Sequence, residues 1–178
     1  MPSAEQLDGL RARFAELVTR VTGKFGTEGI ATSEFRDNFR LHVDPSRIYA
    51  VLEFLKTEGG FDLLSELGGA DYLQYPGAKD RYGVWYVLVN TATGQRVIVK
   101  TVANDPDPKL PSVWPLWKGS DWMEREVYDM YGVIFDGHPD LRRILMPDPF
   151  TAFPLRKDYP LRGRGERHNF QPITRAES

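Results

Sequence analysis

The groups best placed to do chemistry are the carboxylates Glu124, Glu126 and Asp129, which fall within one short stretch. On a helix, the three-residue spacing of Glu126 and Asp129 puts both on one face, where they could act as a general acid/base pair. His138 and Asp140 follow in Gly137-His138-Pro139-Asp140. One reading is therefore an acid/base enzyme using Glu126, His138 and Asp140, which requires a pocket where the three converge. The competing reading is a solvated or arginine-paired helix face, followed by a histidine that hydrogen-bonds the chain around a turn. That second reading is favoured, because surface carboxylates mostly serve in this way.

Other chemistries lack their residues. The 178-residue chain has no cysteine, which removes disulfides, a cysteine nucleophile and thiolate-held iron–sulfur clusters. His42, His138 and His168 do not cluster as metal ligands do. The Gly-x-Ser-x-Gly elbow and the Gly-Lys-Ser/Thr phosphate loop are absent. Gly23, Gly26 and Gly29 miss the dinucleotide spacing, and Arg162-Gly163-Arg164-Gly165 has no helix pattern after it. No catalytic, cofactor-binding or metal residue is expected in this chain.

A net charge of −2 sets up no global field toward nucleic acid or anionic lipid. No apolar run approaches the ~20 residues needed to span a bilayer, and residues 1–22 do not read as a signal peptide. The expectation is a cytoplasmic protein held at any membrane only through a partner.

The elements that position these groups can be read from periodicity. Ser3-Ala4-Glu5-Gln6 predicts a capping box, followed by Leu7, Leu10, Phe14, Leu17, Val18 and Val21 at helical spacing, with Gly23 closing the helix. Thr27–Phe35 is a weak strand and Asn38–Val43 a stronger one. Asp44-Pro45 predicts an N-cap and first helical residue, and Gly59-Gly60 the end of that helix. Strands follow within Phe61–Tyr75, bent at Gly68-Gly69, and at Tyr82–Asn90 and Arg96–Val102. The second of these is apolar on both faces, as a strand covered on both sides would be.

The order α-β-β-α-β-β-β predicts an α+β fold: a two-layer N-terminal domain over residues 1–104 with a mixed sheet of about five strands. Residues 105–136 read as a linker, Asp105-Pro106-Asp107-Pro108, then a short helix. Asp121 and Glu124 would cap that helix and Gly132 would stop it.

Residues 137–178 sustain no period, and prolines recur at 139, 147, 149, 154, 160 and 172. Yet Leu141, Ile144, Leu145, Met146, Phe150, Phe153, Leu155, Tyr159, Leu161 and Phe170 are scattered through them. Such a segment reads as an extended arm that buries its apolar residues on another polypeptide. Arg142, Arg143, Arg156, Lys157, Arg162, Arg164 and Arg167 make it basic. Interleaved aromatics also allow a nucleic-acid-binding reading. Arginine beside apolar anchors fits a protein groove better.

Three blocks carry a family signature: Glu124-Arg125-Glu126-Val127-Tyr128-Asp129-Met130-Tyr131-Gly132-Val133, then Gly137 to Leu145, then Pro154-Leu155-Arg156-Lys157-Asp158-Tyr159-Pro160-Leu161. In this order and spacing they resemble the 30-kilodalton (C) subunit family of the proton-pumping NADH:quinone oxidoreductase, respiratory complex I. Where that family commonly has Gly-His before the proline of the third block, this chain has Ala152-Phe153.

The resemblance implies a cofactor-free subunit in the peripheral arm, on the cytoplasmic side of a bacterial inner membrane. Its neighbours would be subunits D, B and I. The first of them, which helps form the quinone site, would be the chief contact. FMN and iron–sulfur clusters would reside on partner chains. Related hydrogenase-type complexes share the signature and are the alternative setting.

At the interface the expected anchors are Trp114, Trp117, Phe150, Phe153 and Tyr159. The expected polar contacts come from Glu124, Arg125, Glu126, His138, Asp140, Arg142, Arg143, Arg156, Lys157 and Asp158. Pairing of Glu124, Arg125 and Glu126 with Arg142 or Arg143 inside the chain is an equal possibility.

Overall fold

The computed structural model describes residues 4–166. Helix α1 (Ala4–Phe25) leads into strands β1 (Ile30–Phe35) and β2 (Asn38–Val43), then α2 (Ile48–Thr57), β3 (Leu63–Asp71), β4 (Tyr82–Val89) and β5 (Arg96–Ala103). These strands form one sheet in the order β1-β2-β5-β4-β3, with β2 and β5 parallel and the other pairs antiparallel. This is the α+β sheet expected from the sequence.

Alternation along the strands divides the sheet into two faces. Leu41, Val43, Val84, Tyr86, Leu88, Val97 and Val99 are buried and pack in one core with Leu17 and Val21 of α1 and with Val51, Leu52 and Leu55 of α2. The alternate residues Trp85, Val87 and Val89 of β4 are only half-buried. The expectation of a strand covered on both sides therefore needs correction: β4 has hydrogen-bonded neighbours on both edges, but helices lie over one face alone.

Several local expectations shift for identifiable reasons. The Ser3 cap lies outside the described residues. Helix α1 runs past Gly23 and ends where Gly26 adopts φ 77° and its amide donates to Thr22 O at 2.8 Å. Asp44 does not cap α2 directly. Its carboxylate accepts from the Ser46 amide (2.9 Å) and hydroxyl (2.6 Å), which folds 44–47 into a turn before the helix.

The irregularity in β3 falls between Leu64 and Glu66, not at Gly68-Gly69. Those glycines serve close packing instead: a Cβ at Gly68 would lie 2.6 Å from the Trp85 ring, and one at Gly69 3.1 Å from Tyr131 and Val127.

Residues 105–136, read from the sequence as linker and helix, contribute to the same core. Strand β6 (Lys109–Pro111), helix α3 (Ser120–Tyr131) and strand β7 (Ile134–Asp136) follow one another, and β6 pairs parallel with β7. Leu110, Val113, Leu116, Trp117, Val127, Val133 and Phe135 all join the core cluster.

Helix α3 packs along the edge strand β3 and stops at Gly132, whose φ of 77° fits a left-handed cap. The expected capping box is absent. Gly119 holds the N-cap position without a side-chain bond, and Glu124 is turned inward. No helix among the described residues is long and apolar enough to cross a membrane.

Candidate functional site

The three signature blocks meet along one seam, where α3 receives the chain that returns from β7. Asp129 organises it. Its side chain is fully buried. Oδ1 accepts from Arg143 Nη1 at 2.6 Å, and Oδ2 accepts from the successive amides of Ile144 (3.1 Å), Leu145 (2.8 Å) and Met146 (2.8 Å). Burial alone would raise its pKa. The three amides and the guanidinium outweigh burial and hold it below the ordinary carboxylate value.

One turn back on α3, Arg125 donates through Nε to Arg142 O (3.1 Å) and through Nη2 to Arg143 O (3.2 Å). Helix α3 thus grips the 142–146 loop at two points.

The chain then crosses the end of α3. Leu155 N donates to Met130 O at 3.2 Å, and Arg156 Nε to Tyr131 O at 2.6 Å. The Arg156 guanidinium lies 4.5 Å from the Phe153 ring and 5.2 Å from Tyr82. Both Arg156 and Phe153 press on Gly132, where a Cβ would come within 2.5 Å of Arg156 Nη2. Phe153 also lies beside Arg143 (5.2 Å) and edge-on to Tyr128 (6.1 Å). Phe153 is thus an aromatic wedge between α3 and the arm.

A third grip involves the sheet. Asp71, at the end of β3 with a fully buried side chain, accepts from the amides of Leu73 and Lys157, each at 2.8 Å. Arg81 bridges Asp71 (3.4 Å), Asp158 (2.7 Å) and Asp105.

The acid/base reading lacks its pocket. His138 has a fully buried side chain whose Nδ1 accepts from the Asp140 amide (3.0 Å). Its Nε2 therefore carries the proton that faces Asp121 O (3.1 Å). That is a ring spent on holding a turn. Asp140 is exposed and pairs with Arg142 at 2.8 Å. Glu126 is exposed beside a cavity of about 310 Å³ between α3 and β3, which neither His138 nor Asp140 lines. Among the described residues no three His, Cys, Asp or Glu side chains group as metal ligands would.

Glu124 is fully buried, accepting from Ser112 Oγ (2.7 Å) and the Val113 amide (2.8 Å). Burial pushes its pKa up, against the pull of those two donors. It faces the core and makes no bond to Arg142 or Arg143.

Of the expected anchors, Trp117 and Phe150 are buried within this chain. Trp114 is half-buried with Lys118 Nζ 3.0 Å from its ring, and Tyr159 meets Phe150 edge-on at 5.9 Å. Arg143 and Arg156 are spent inside the chain, whereas Arg142 and Lys157 are exposed. Sequence reasoning missed Asp129, Asp71 and Arg81 as organisers, and Trp122, which is 69% exposed on α3. Arg167 and Phe170 lie outside the described residues.

The family described as "respiratory-chain NADH dehydrogenase, 30 Kd subunit" matches residues 41–165, from the end of β2 through β3, β4 and β5 to α3 and the seam. The chain belongs to that family. A relative from Roseiflexus castenholzii, the (C) subunit of its NADH-quinone oxidoreductase, is 42% identical over 134 residues, 74% of this chain and 75% of the relative.

Among solved structures, a trypsin-resistant fragment of Nqo5 superposes with a TM-score of 0.65 at 32% identity, over 72% of this chain and 99% of the fragment. A chain of the membrane-bound sulfane sulfur reductase, an archaeal respiratory membrane complex, superposes with a TM-score of 0.72 over 92% of this chain and 94% of its own length. At 23% identity that likeness is one of fold. Membership in the 30 kDa subunit family places this chain among the subunits of a multisubunit oxidoreductase.

Proposed function

We propose that this chain is a non-catalytic structural and assembly subunit of the peripheral arm of a proton-translocating NADH:quinone oxidoreductase. It helps to hold the quinone-site and iron–sulfur subunits in register while electrons pass from NADH to quinone. Its partners are subunits D, B and I, the quinone-site partner foremost, on the cytoplasmic side of a bacterial inner membrane. FMN and the clusters belong to those partner chains.

The observation that carries this reading is an imbalance in the arm. Its polar groups are largely satisfied inside the chain, through Asp129, Asp71 and the carbonyls at the end of α3. Its apolar groups are not: Leu145, Leu155 and Leu161 are 60%, 49% and 104% exposed, and Trp122 lies bare on α3. Apolar surface on a segment already fixed in shape marks a contact site. The family match supports the same reading. The name of the Roseiflexus relative supports NADH as the electron donor, and the likeness to the sulfane sulfur reductase extends only to fold.

The nucleic-acid reading loses support because Arg143 and Arg156 are committed internally. Two of its supposed phosphate contacts are therefore spent, and a gel shift at low salt should show no retardation.

The test is co-purification of a tagged chain from detergent-solubilised membranes. The wild-type chain should bring down subunits D, B and I together with flavin and iron–sulfur absorbance. Leu145→Glu with Leu161→Glu should fold normally and lose those partners. Quinone reduction by the isolated chain, or a tagged chain that purifies alone, would overturn the proposal.

A further inference from the structure

Helices cover one face of the five-stranded sheet. Across the other face run Arg40 and His42 on β2, Ile98 and Lys100 on β5, and Trp85 and Val87 on β4, all half-buried. The pairing sets them side by side: Arg40 opposite Ile98, His42 opposite Lys100, then Ile98 opposite Val87 and Lys100 opposite Trp85. The result is a basic edge running into an aliphatic and aromatic floor.

The loop after β3 folds onto one end of this face. The Tyr72 ring lies on Gly83, where a Cβ would approach it to 2.5 Å. A cavity of about 790 Å³ opens between that loop and the strands, bordered by His42, Tyr72, Tyr75, Lys79 and Lys100.

Among the described residues, the cations Lys100 and Arg40 on this face form no ion pair. Lys100 Nζ has Tyr72 OH at 3.4 Å, and Arg40 lies 5.6 Å from the Phe35 ring. The carboxylates nearby accept from neutral donors, Asp44 from Ser46, Asp80 from Asn104 Nδ2 at 2.9 Å and Glu66 from Trp85 Nε1 at 3.0 Å, and none of them pairs with Lys100 or Arg40. His42, bonded to Ser33 Oγ at 2.7 Å, registers the same field. Burial first, then Lys100 and Arg40, push its pKa down.

We propose that this open sheet face docks an acidic, partly apolar segment of a neighbouring polypeptide. Its carboxylates meet Lys100 and Arg40, and its apolar side chains cover Ile98, Val87 and Trp85. The inference rests on the proposed role as a subunit, because it needs a neighbour. A polypeptide fits better than a nucleic acid: half-buried β-branched side chains give nothing to a sugar-phosphate backbone, whereas they bury well against aliphatic or aromatic residues. Unpaired cations rimming such a floor select the sign of the partner's charge.

The test uses the complex solubilised from membranes. A carbodiimide joins an amine to a carboxylate only where the two touch. Mass spectrometry of the treated complex should find Lys100 coupled to an Asp or Glu of another subunit. Lys100→Arg, which keeps the charge, should abolish that product and leave assembly intact. Arg40→Glu with Lys100→Glu should lower incorporation at least ~tenfold, through like-charge repulsion against the acidic segment. The circular dichroism of the isolated variant should be unchanged. If that variant misfolds, the Lys100 cross-link decides alone.

The proposal fails if Lys100 couples only to this chain's own carboxylates, including those of residues 167–178. It also fails if an amine reagent labels Lys100 as fast in the complex as in the isolated chain, or if protection requires anionic vesicles or oligonucleotides. A chain found in no membrane complex would instead sink the subunit reading itself.

Discussion

Residues 4–136 and residues 137–166 reach a fixed shape by opposite means. The first region buries a continuous apolar core, from Leu17 on α1 through the sheet to Phe135 on β7. In the second, Phe150 is the one buried apolar residue among those described. The arm is held by backbone amides converging on buried carboxylates and by arginines donating to carbonyls at the end of α3. An irregular segment can thus be ordered without a period or a core, provided a folded neighbour offers acceptors already aimed.

The sharpest way to break this comparison is Asp129→Asn. It leaves Arg143 without its counter-charge and weakens the acceptor that three amides share. Loss of one partner from a buried ion pair costs about 3–5 kcal/mol. Hydrogen exchange should show the amides of 144–146 losing protection while β4 and β5 keep theirs. Equal loss in the sheet would mean that arm and core are one cooperative unit.

Acid should act in the same direction. The folded pKa of Asp129 lies below its ordinary value of 3.8. Its stabilisation is therefore complete above that value and is lost as pH falls through the folded value. Arm protection followed across a pH titration reads this directly.

Next in size is Gly132→Ala. A side chain at φ 77° is strained and would collide with Arg156 and Phe153. The expected cost is about 1–3 kcal/mol, read from thermal unfolding, with faster exchange at the Leu155 amide.

Glu124→Gln sharpens the contrast from the other side. Glu124 and Asp129 are both buried on α3, yet five residues turn them about 140° apart. One faces the core and the other the arm, and their pKa values shift oppositely. The folded pKa of Glu124 lies above its ordinary value of 4.5, so its contribution is full below that value and is lost as pH rises through the folded one. Glutamine can keep the bond from Val113 N and should change stability by no more than about 1 kcal/mol, while flattening the dependence on pH.

Smallest of all is Arg142→Ala. Arg142 and Asp140 are exposed partners, so urea unfolding of the isolated chain should not change. Any effect on assembly would then belong to the interface.

Elements with a strong period were readable. β2 runs from Asn38 to Val43 as the alternation of Phe39, Leu41 and Val43 demands, and Gly132 ends α3. The β6–β7 pair was invisible, because two three-residue strands separated by a helix carry no period. Glu124 was misread as a cap because Asp121 and Glu124 satisfy that spacing, and burial on α3 cannot be seen from spacing. The way the arm is anchored inside the chain was illegible for a similar reason. Its acceptors, Asp129 and Asp71, lie on other elements, and no local pattern announces three amides closing around a carboxylate some fifteen residues upstream. Arg81 escaped notice because its three carboxylates are scattered between residues 71 and 158.

Asp71 accepts from Leu73, Arg81 and Lys157, so the tip of β3, the start of β4 and the far stretch of the arm share one knot. Torque applied to the arm is delivered to the sheet at that knot. A neighbour that gripped Leu161, as proposed above, would hold a lever whose angle is set by the whole body of the chain, where a leash would transmit only distance.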